Sequence, residues 1–422
     1  MKKLSYLLVG LFLLTSLGAY AQDDNRKLLQ YYRIAGKDGI NVFETKKSDT
    51  VKYEGLKLRV GGDFALQYQG ISHQNSIPIN EDALVSLGSN FNLPTANLNL
   101  DAQLADGVRM HLRTYLSSRR HPEAWIKGGY LQFDNLNFIS EGFASGLMSV
   151  ATIKVGMDQI NYGDAQFRRS DNAMAIYNPF VGNYIMDSFT TEPFIEFTLQ
   201  PQDFIIVAGL TNGRLNQSPL KGDDGFVFYS KLGWDSQIND DLRVRLTGSL
   251  YSSSSEGTRD YLFGADRAGA RYYNVMEGLV SGGSDFDPRF NPRFGYQTAF
   301  QFNPFVKFKD FEFFGLIESV SNGNDEVGGS FNQLGLEALY RFGGNEQWYV
   351  GGRYNSVSGE SADAAPTREI DRTNFGLGWF MTNNVLVKLE RVNQEYTGAG
   401  WTGGRFQDGS FDGWVFEAVI GF

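Results

Sequence analysis

A chain of 422 residues with a net charge of −10 offers little to a nucleic-acid backbone. It contains no cysteine, which excludes a disulfide framework and a thiolate metal site, and its three histidines are too scattered for a metal centre of ordinary spacing. Aromatic residues make up 14%, glycines number 49 and prolines only 11, a balance that fits a β protein with one apolar face.

The first 21 residues read MKKLSYLLVGLFLLTSLGAYA. Lys2 and Lys3 precede an apolar run that ends in Ala19-Tyr20-Ala21, the pattern of a cleaved signal peptide. Residues 22–56 are polar and mixed, and are expected to form a periplasmic lead-in. Beyond them no run of 18 apolar residues occurs and mean hydropathy is negative, which excludes a helical membrane protein.

From residue 57 the pattern changes. In KLRVGGDFALQYQG, Leu58, Val60, Phe64, Leu66 and Tyr68 alternate with Arg59, Asp63, Gln67 and Gln69. GVRMHLRTYLS repeats this around residue 110, and DLRVRLTGSLY around residue 245. Segments of about ten residues with period two, one face apolar and the other polar, are the signature of transmembrane barrel strands. The connections carry a second signal. Short turns at LADGV, LQPQDF, DSQINDDL, KFKDF, FGGNEQ and MTNNV, with a longer one near residues 134–151, alternate with eight long polar or glycine-rich loops. That arrangement predicts an all-β antiparallel transmembrane barrel of about sixteen strands over residues 57–422, with the short turns on the periplasmic side. A soluble sandwich has no reason to segregate loop lengths by side. The last strand, residues 411–422, is expected to pair with the first and close the sheet, with Trp414, Phe416, Ala418, Ile420 and Phe422 facing lipid.

Sixteen strands enclose a lumen wide enough for water. The third long loop, NYGDAQFRRSDNAMAIYNPFVGNYIMDSFT, is expected to narrow it. Its apolar residues (Met174, Ile176, Phe180, Ile185, Met186) have no use in an external loop, and they would bring Arg168 and Arg169 to the constriction. Alternation also turns Arg109, Arg113, Lys154, Arg243 and Arg245 inward as basic pore-lining residues, with Arg341, Arg353, Arg372 and Lys388 beside them. Opposing them are Asp63, Asp101, Asp158, Glu196, Glu337 and Glu390, which leaves a mixed wall with a basic lean and predicts weak anion preference.

The passage IKVGMDQINYGDAQFRRSDN, together with the leader, the strand count and the final Phe, resembles the phosphate-selective porin O and P family of outer-membrane proteins. The resemblance implies a porin, usually a homotrimer, that admits small hydrophilic anions, including phosphate, through a basic lumen. It also implies that Phe422 serves as a signal to the barrel assembly machinery. The alternative is a barrel acting as a binding scaffold or as a subunit of a larger complex, through a loop at residues 252–292 that is rich in Tyr, Phe and Arg. No nucleophile-elbow pattern and no cofactor motif is present, so no enzymatic activity is expected.

Overall fold

The computed structural model describes residues 29, 32–48, 51–77, 83–115, 124–213, 225–253, 261–264, 271–279 and 288–422. The expected signal peptide, residues 1–21, lies outside them. The first eight strands are β1 (Lys57–Gln74), β2 (Asn90–Ala105), β3 (Val108–Tyr115), β4 (Trp125–Phe133), β5 (Ala151–Gln159), β6 (Thr191–Leu199), β7 (Phe204–Thr211) and β8 (Val227–Asn239). They are followed by β9 (Leu242–Ser253), β10 (Gln297–Phe308), β11 (Phe311–Asn322), β12 (Ser330–Phe342), β13 (Trp348–Glu360), β14 (Arg368–Thr382), β15 (Val385–Thr397) and β16 (Ser410–Gly421).

Each strand pairs antiparallel with its chain neighbours, and β16 pairs with β1, so the sheet closes. Closure leaves no backbone edge unpaired, the condition for a sheet to stand in hydrocarbon. At the seam Asp63–Gln74 run opposite Gly421–Ser410, and Phe422 exchanges backbone hydrogen bonds with Gly62 (2.9 and 3.0 Å). Burial alternates with period two, as in β12, where Phe331, Gln333, Glu337, Leu339 and Arg341 are buried and Leu334, Leu336 and Tyr340 are exposed. The exposed face is the lipid face. Near the short turns it carries stacked rings, with Trp348 and Trp379 at 4.8 Å between centroids and Phe342 beside them. Aromatic girdles of this kind mark the membrane interface.

All seven expected short turns join the strands they were expected to join. The turn between β2 and β3 shows how little such a link needs. Gly107 takes φ +67°, and a Cβ there would meet the Asn135 side chain at 2.2 Å. A closed sixteen-strand barrel with an apolar exterior belongs in the outer membrane.

Candidate functional site

The inward face is not an open tube. Among the described residues three segments lie against it. Residues 160–190, between β5 and β6, bury Ile176, Phe180, Val181, Ile185 and Met186 among inward side chains such as Leu339, Val357, Leu386 and Val392. Two wall glycines make room for rings. A Cβ at Gly376 would stand 3.1 Å from Phe180, and one at Gly335 2.5 Å from Tyr184.

A buried loop must find partners for its backbone. Here the wall supplies them. Val181 N–H donates to Glu390, Ile185 N–H to Asn355, Met186 N–H to Gln333 and Asp164 N–H to Asn303. Lys388 Nζ donates to the carbonyls of Ala175, Asn178 and Phe180. Arg353 donates to Gly182 O and Arg372 to Asn183 O. Much of the basic lean read from alternation is therefore occupied in holding this loop.

Residues 32–48 enter from the periplasmic end, where Lys37 N–H donates to Asn383 O in the β14–β15 turn at 2.7 Å. Phe43 packs edge-on against Phe305 and Phe167, and Asn41 donates to Glu312 at 2.8 Å. Glu44 accepts from Arg245 (2.7 Å) and Lys231 (3.1 Å). Burial alone would raise the Glu44 carboxyl, but these two cations overcome it and hold it down at about 2. This part of the expected periplasmic lead-in thus lies within the barrel. The third segment belongs to the loop between β9 and β10, expected to offer an outward contact surface. Of its described residues, 271–278 turn inward instead: Arg271 pairs with Glu417 at 2.6 Å and Tyr272 O–H donates to Glu390.

Arg168 and Arg169, expected at the constriction, do not line an opening. Each is 3% exposed. Arg168 donates to Glu337 and to Asn41, with Glu312 3.8 Å away, and so ties the loop and the N-terminal segment to the wall. Arg169 grips Asp187 at 2.7 Å and lies 3.7 Å above the Phe189 ring. Both serve as anchors. Arg245 faces inward as expected but is covered, with Asp164, Glu44 and Asp235 around its guanidinium. Arg243 donates to Asp235 and to Asn41 O, and lines a recess open to the periplasmic end.

Space remains along the opposite wall, β2 to β6. A cleft of about 210 Å³ is lined there by Asp101, Arg109, His111, Arg113, Lys154, Asp158 and Glu196, with Tyr32, Gln166 and Tyr177 closing its other side. His111 has its Nδ1 2.7 Å from Asp101 and its Nε2 3.8 Å from Asp158. Arg113 donates to Asp158 at 3.1 Å. Lys154 reaches Glu196 only at 3.9 Å, and Arg109, 3% exposed, has a buried Nε with no hydrogen-bond partner among the described residues. Acidic wall residues that the sequence reading did not single out, Glu192, Asp235, Glu312, Glu318 and Glu417, offset the basic lean. Their signal was available in the same alternation. Among the described residues no cluster of His, Asp or Glu is arranged to hold a metal.

The fold and the charged lumen define a sixteen-stranded outer-membrane β-barrel. Solved structures of that class superpose on it. An anion-selective porin from Comamonas acidovorans matches 87% of this chain and 100% of its own, with TM-score 0.53 and 9% identity. The channel DcaP of Acinetobacter baumannii covers 88% and 99% with TM-score 0.52 and 10% identity. The OmpT protein of Vibrio cholerae, in its trimer form, covers 87% and 100% with TM-score 0.52 and 10% identity. At such identity the likeness is one of fold. No protein-family model and no curated protein matches the sequence, so the likeness reaches the porin barrel and not the phosphate-selective family in particular.

Proposed function

We propose that this protein is a porin that lets small hydrophilic solutes diffuse across the outer membrane along the β2–β6 cleft, with a weak preference for anions. One observation carries the preference. Arg109 and Lys154 face the cleft without a short ion pair among the described residues, Lys154 standing 3.9 Å from Glu196 and Arg109 acting on Asp101 and Asp134 from further off. Arg245, Arg353, Arg372 and Lys388, by contrast, bond to the segments inside the barrel. In a narrow, poorly screened passage a cation of this kind acts strongly on a passing ion. The neighbouring Arg113–Asp158 and His111–Asp101 contacts alternate in sign, which favours weak selection over dedicated phosphate uptake. The Comamonas barrel, described as an anion-selective porin, is consistent with this reading. Homotrimer assembly belongs to the same proposal, supported by the trimer form of the Vibrio barrel. So does recognition of Phe422 by the assembly machinery, supported by its place at the closing seam.

The test is a reversal potential in a salt gradient across a planar bilayer. Arg109→Gln should move it toward cations while heat-modifiable migration of the barrel stays unchanged, and Lys154→Gln should move it the same way. A folded barrel that gives no conductance steps would instead favour the scaffold alternative, for which the filled lumen speaks. Steps with no shift in either variant would place the path elsewhere.

A further inference from the structure

The connection between β4 and β5 is out of scale. The other periplasmic turns are at most the length of residues 343–347, yet residues 134–150 separate these two strands. Residues 137–147 are all exposed. Among them stand Phe138 (57% exposed), Ile139 (57%), Phe143 (47%) and Leu147 (58%). A link that only had to join two strands would need none of them.

This element is built. Asn135 and Asn137 both donate to Asp106 in the neighbouring turn, at 2.9 and 3.1 Å, and Gly142 N–H donates to Asn137 Oδ1. Backbone bonds from Ile139 to Leu136, from Phe143 to Ser140 and from Met148 to Ala144 continue it into the helical turn Ser145–Met148. Hydrogen bonds fix its shape, and its large apolar side chains find no core. A rigid scaffold that presents apolar groups outward is a docking surface.

Its position says what it docks against. The Phe138 ring lies 5.4 Å from that of Phe133, the last residue of β4. Phe133 follows Gln132, which lines the lumen, so it faces the outside of the barrel. The apolar foot is therefore continuous with the lipid-facing wall at its periplasmic rim. Residues 134–150 contain no Lys or Arg, and only Asp134 and Glu141 carry charge, so headgroup attraction contributes nothing. We propose that residues 137–147 form a foot that inserts Phe138, Ile139, Phe143 and Leu147 into the inner-leaflet phospholipid beside the barrel, by apolar burial alone.

The absence of cysteine allows a clean test. Phe143→Cys and Leu147→Cys, each carrying a nitroxide, are placed in zwitterionic phosphatidylcholine vesicles. Leu246→Cys on the lipid wall and Asn345→Cys in an aqueous turn serve as references, and folding is checked by heat-modifiable migration. Collisions with oxygen should exceed those with a nickel chelate several-fold at both foot positions, close to Leu246. Adding anionic lipid should change nothing. Nickel-chelate access equal to that at Asn345 would overturn the proposal. So would shielding from both reagents, and dipolar broadening from a label on a second copy would then identify an interface between copies.

Discussion

Arg168 and Arg109 both sit on the inside of the barrel, and only their neighbours distinguish an anchor from a pore-lining charge. Arg168→Ala removes a cation from between Glu337 and Glu312, and breaking a buried pair costs about 3–5 kcal/mol. Each carboxylate keeps a second arginine, Arg353 for Glu337 and Arg341 for Glu312, so the loss should fall near the lower end. It should appear as a lower unfolding temperature in detergent with the reversal potential nearly unchanged. Glu44 gives a pH prediction. Its carboxyl titrates at about 2 in the folded barrel, below the ordinary value of 4.5, so its contribution is complete above that ordinary value. It is lost as pH falls through about 2. Conductance should not respond to this group between pH 5 and 8, whereas Glu44→Gln should raise conductance across that range. A wild-type step between pH 5 and 8 that Glu44→Gln abolishes would contradict this assignment. Alternation in the sequence told which side chains turn inward, including Arg109 and Arg245 alike. It carried no trace of which inward cation a distant segment would claim, since Glu44 meets Arg245 across some two hundred residues of chain.

Strands and turns were legible because each obeys a local rule: period two for the strand, and a few polar residues for a turn. The polarity of the segments inside the barrel hid them. Residues 32–48 looked solvent-facing because the wall they pack against is itself polar, so burial there selects for polar partners. The third loop betrayed itself only through apolar residues that water would not reward. The register of β9 tests the element. Leu246 faces outward at 40% exposure, and an arginine there should cost about 2–4 kcal/mol near the bilayer midplane, lowering the yield of heat-modifiable barrel. A pore-lining side chain with no partner, as alternation alone would have Arg245, could be changed to Leu without harm to folding. The structure predicts otherwise, because that side chain holds Asp164, Glu44 and Asp235 together. Its loss should be of the order of 3 kcal/mol and should be accompanied by raised conductance, which separates it from Leu246→Arg.

At the scale of the whole molecule, a closed barrel wall encloses what amounts to a small folded core. Residues 32–48 meet the third loop there: Phe43 against Phe167, Asn41 against Arg168, and Glu44 and Asp164 sharing Arg245 and Lys231. The N-terminal segment therefore narrows the periplasmic end and braces the loop above it. Deleting residues 32–48 should leave the barrel assembled, since every strand keeps both neighbours, while removing Tyr32, Phe43 and Glu44 from the edge of the cleft. Single-channel conductance should rise. The reversal potential should move toward anions, because Arg245 and Lys231 lose one carboxylate and keep Asp164. The loop, without its brace, should add flicker on the timescale of loop motion, from nanoseconds upward, so that the open current becomes noisier. Bilayer recordings of the deletion variant, with heat-modifiable migration as the folding control, read all three. A folded variant with unchanged conductance would mean that solutes do not pass beside this segment, and the β2–β6 cleft would then lose its place as the conduction path.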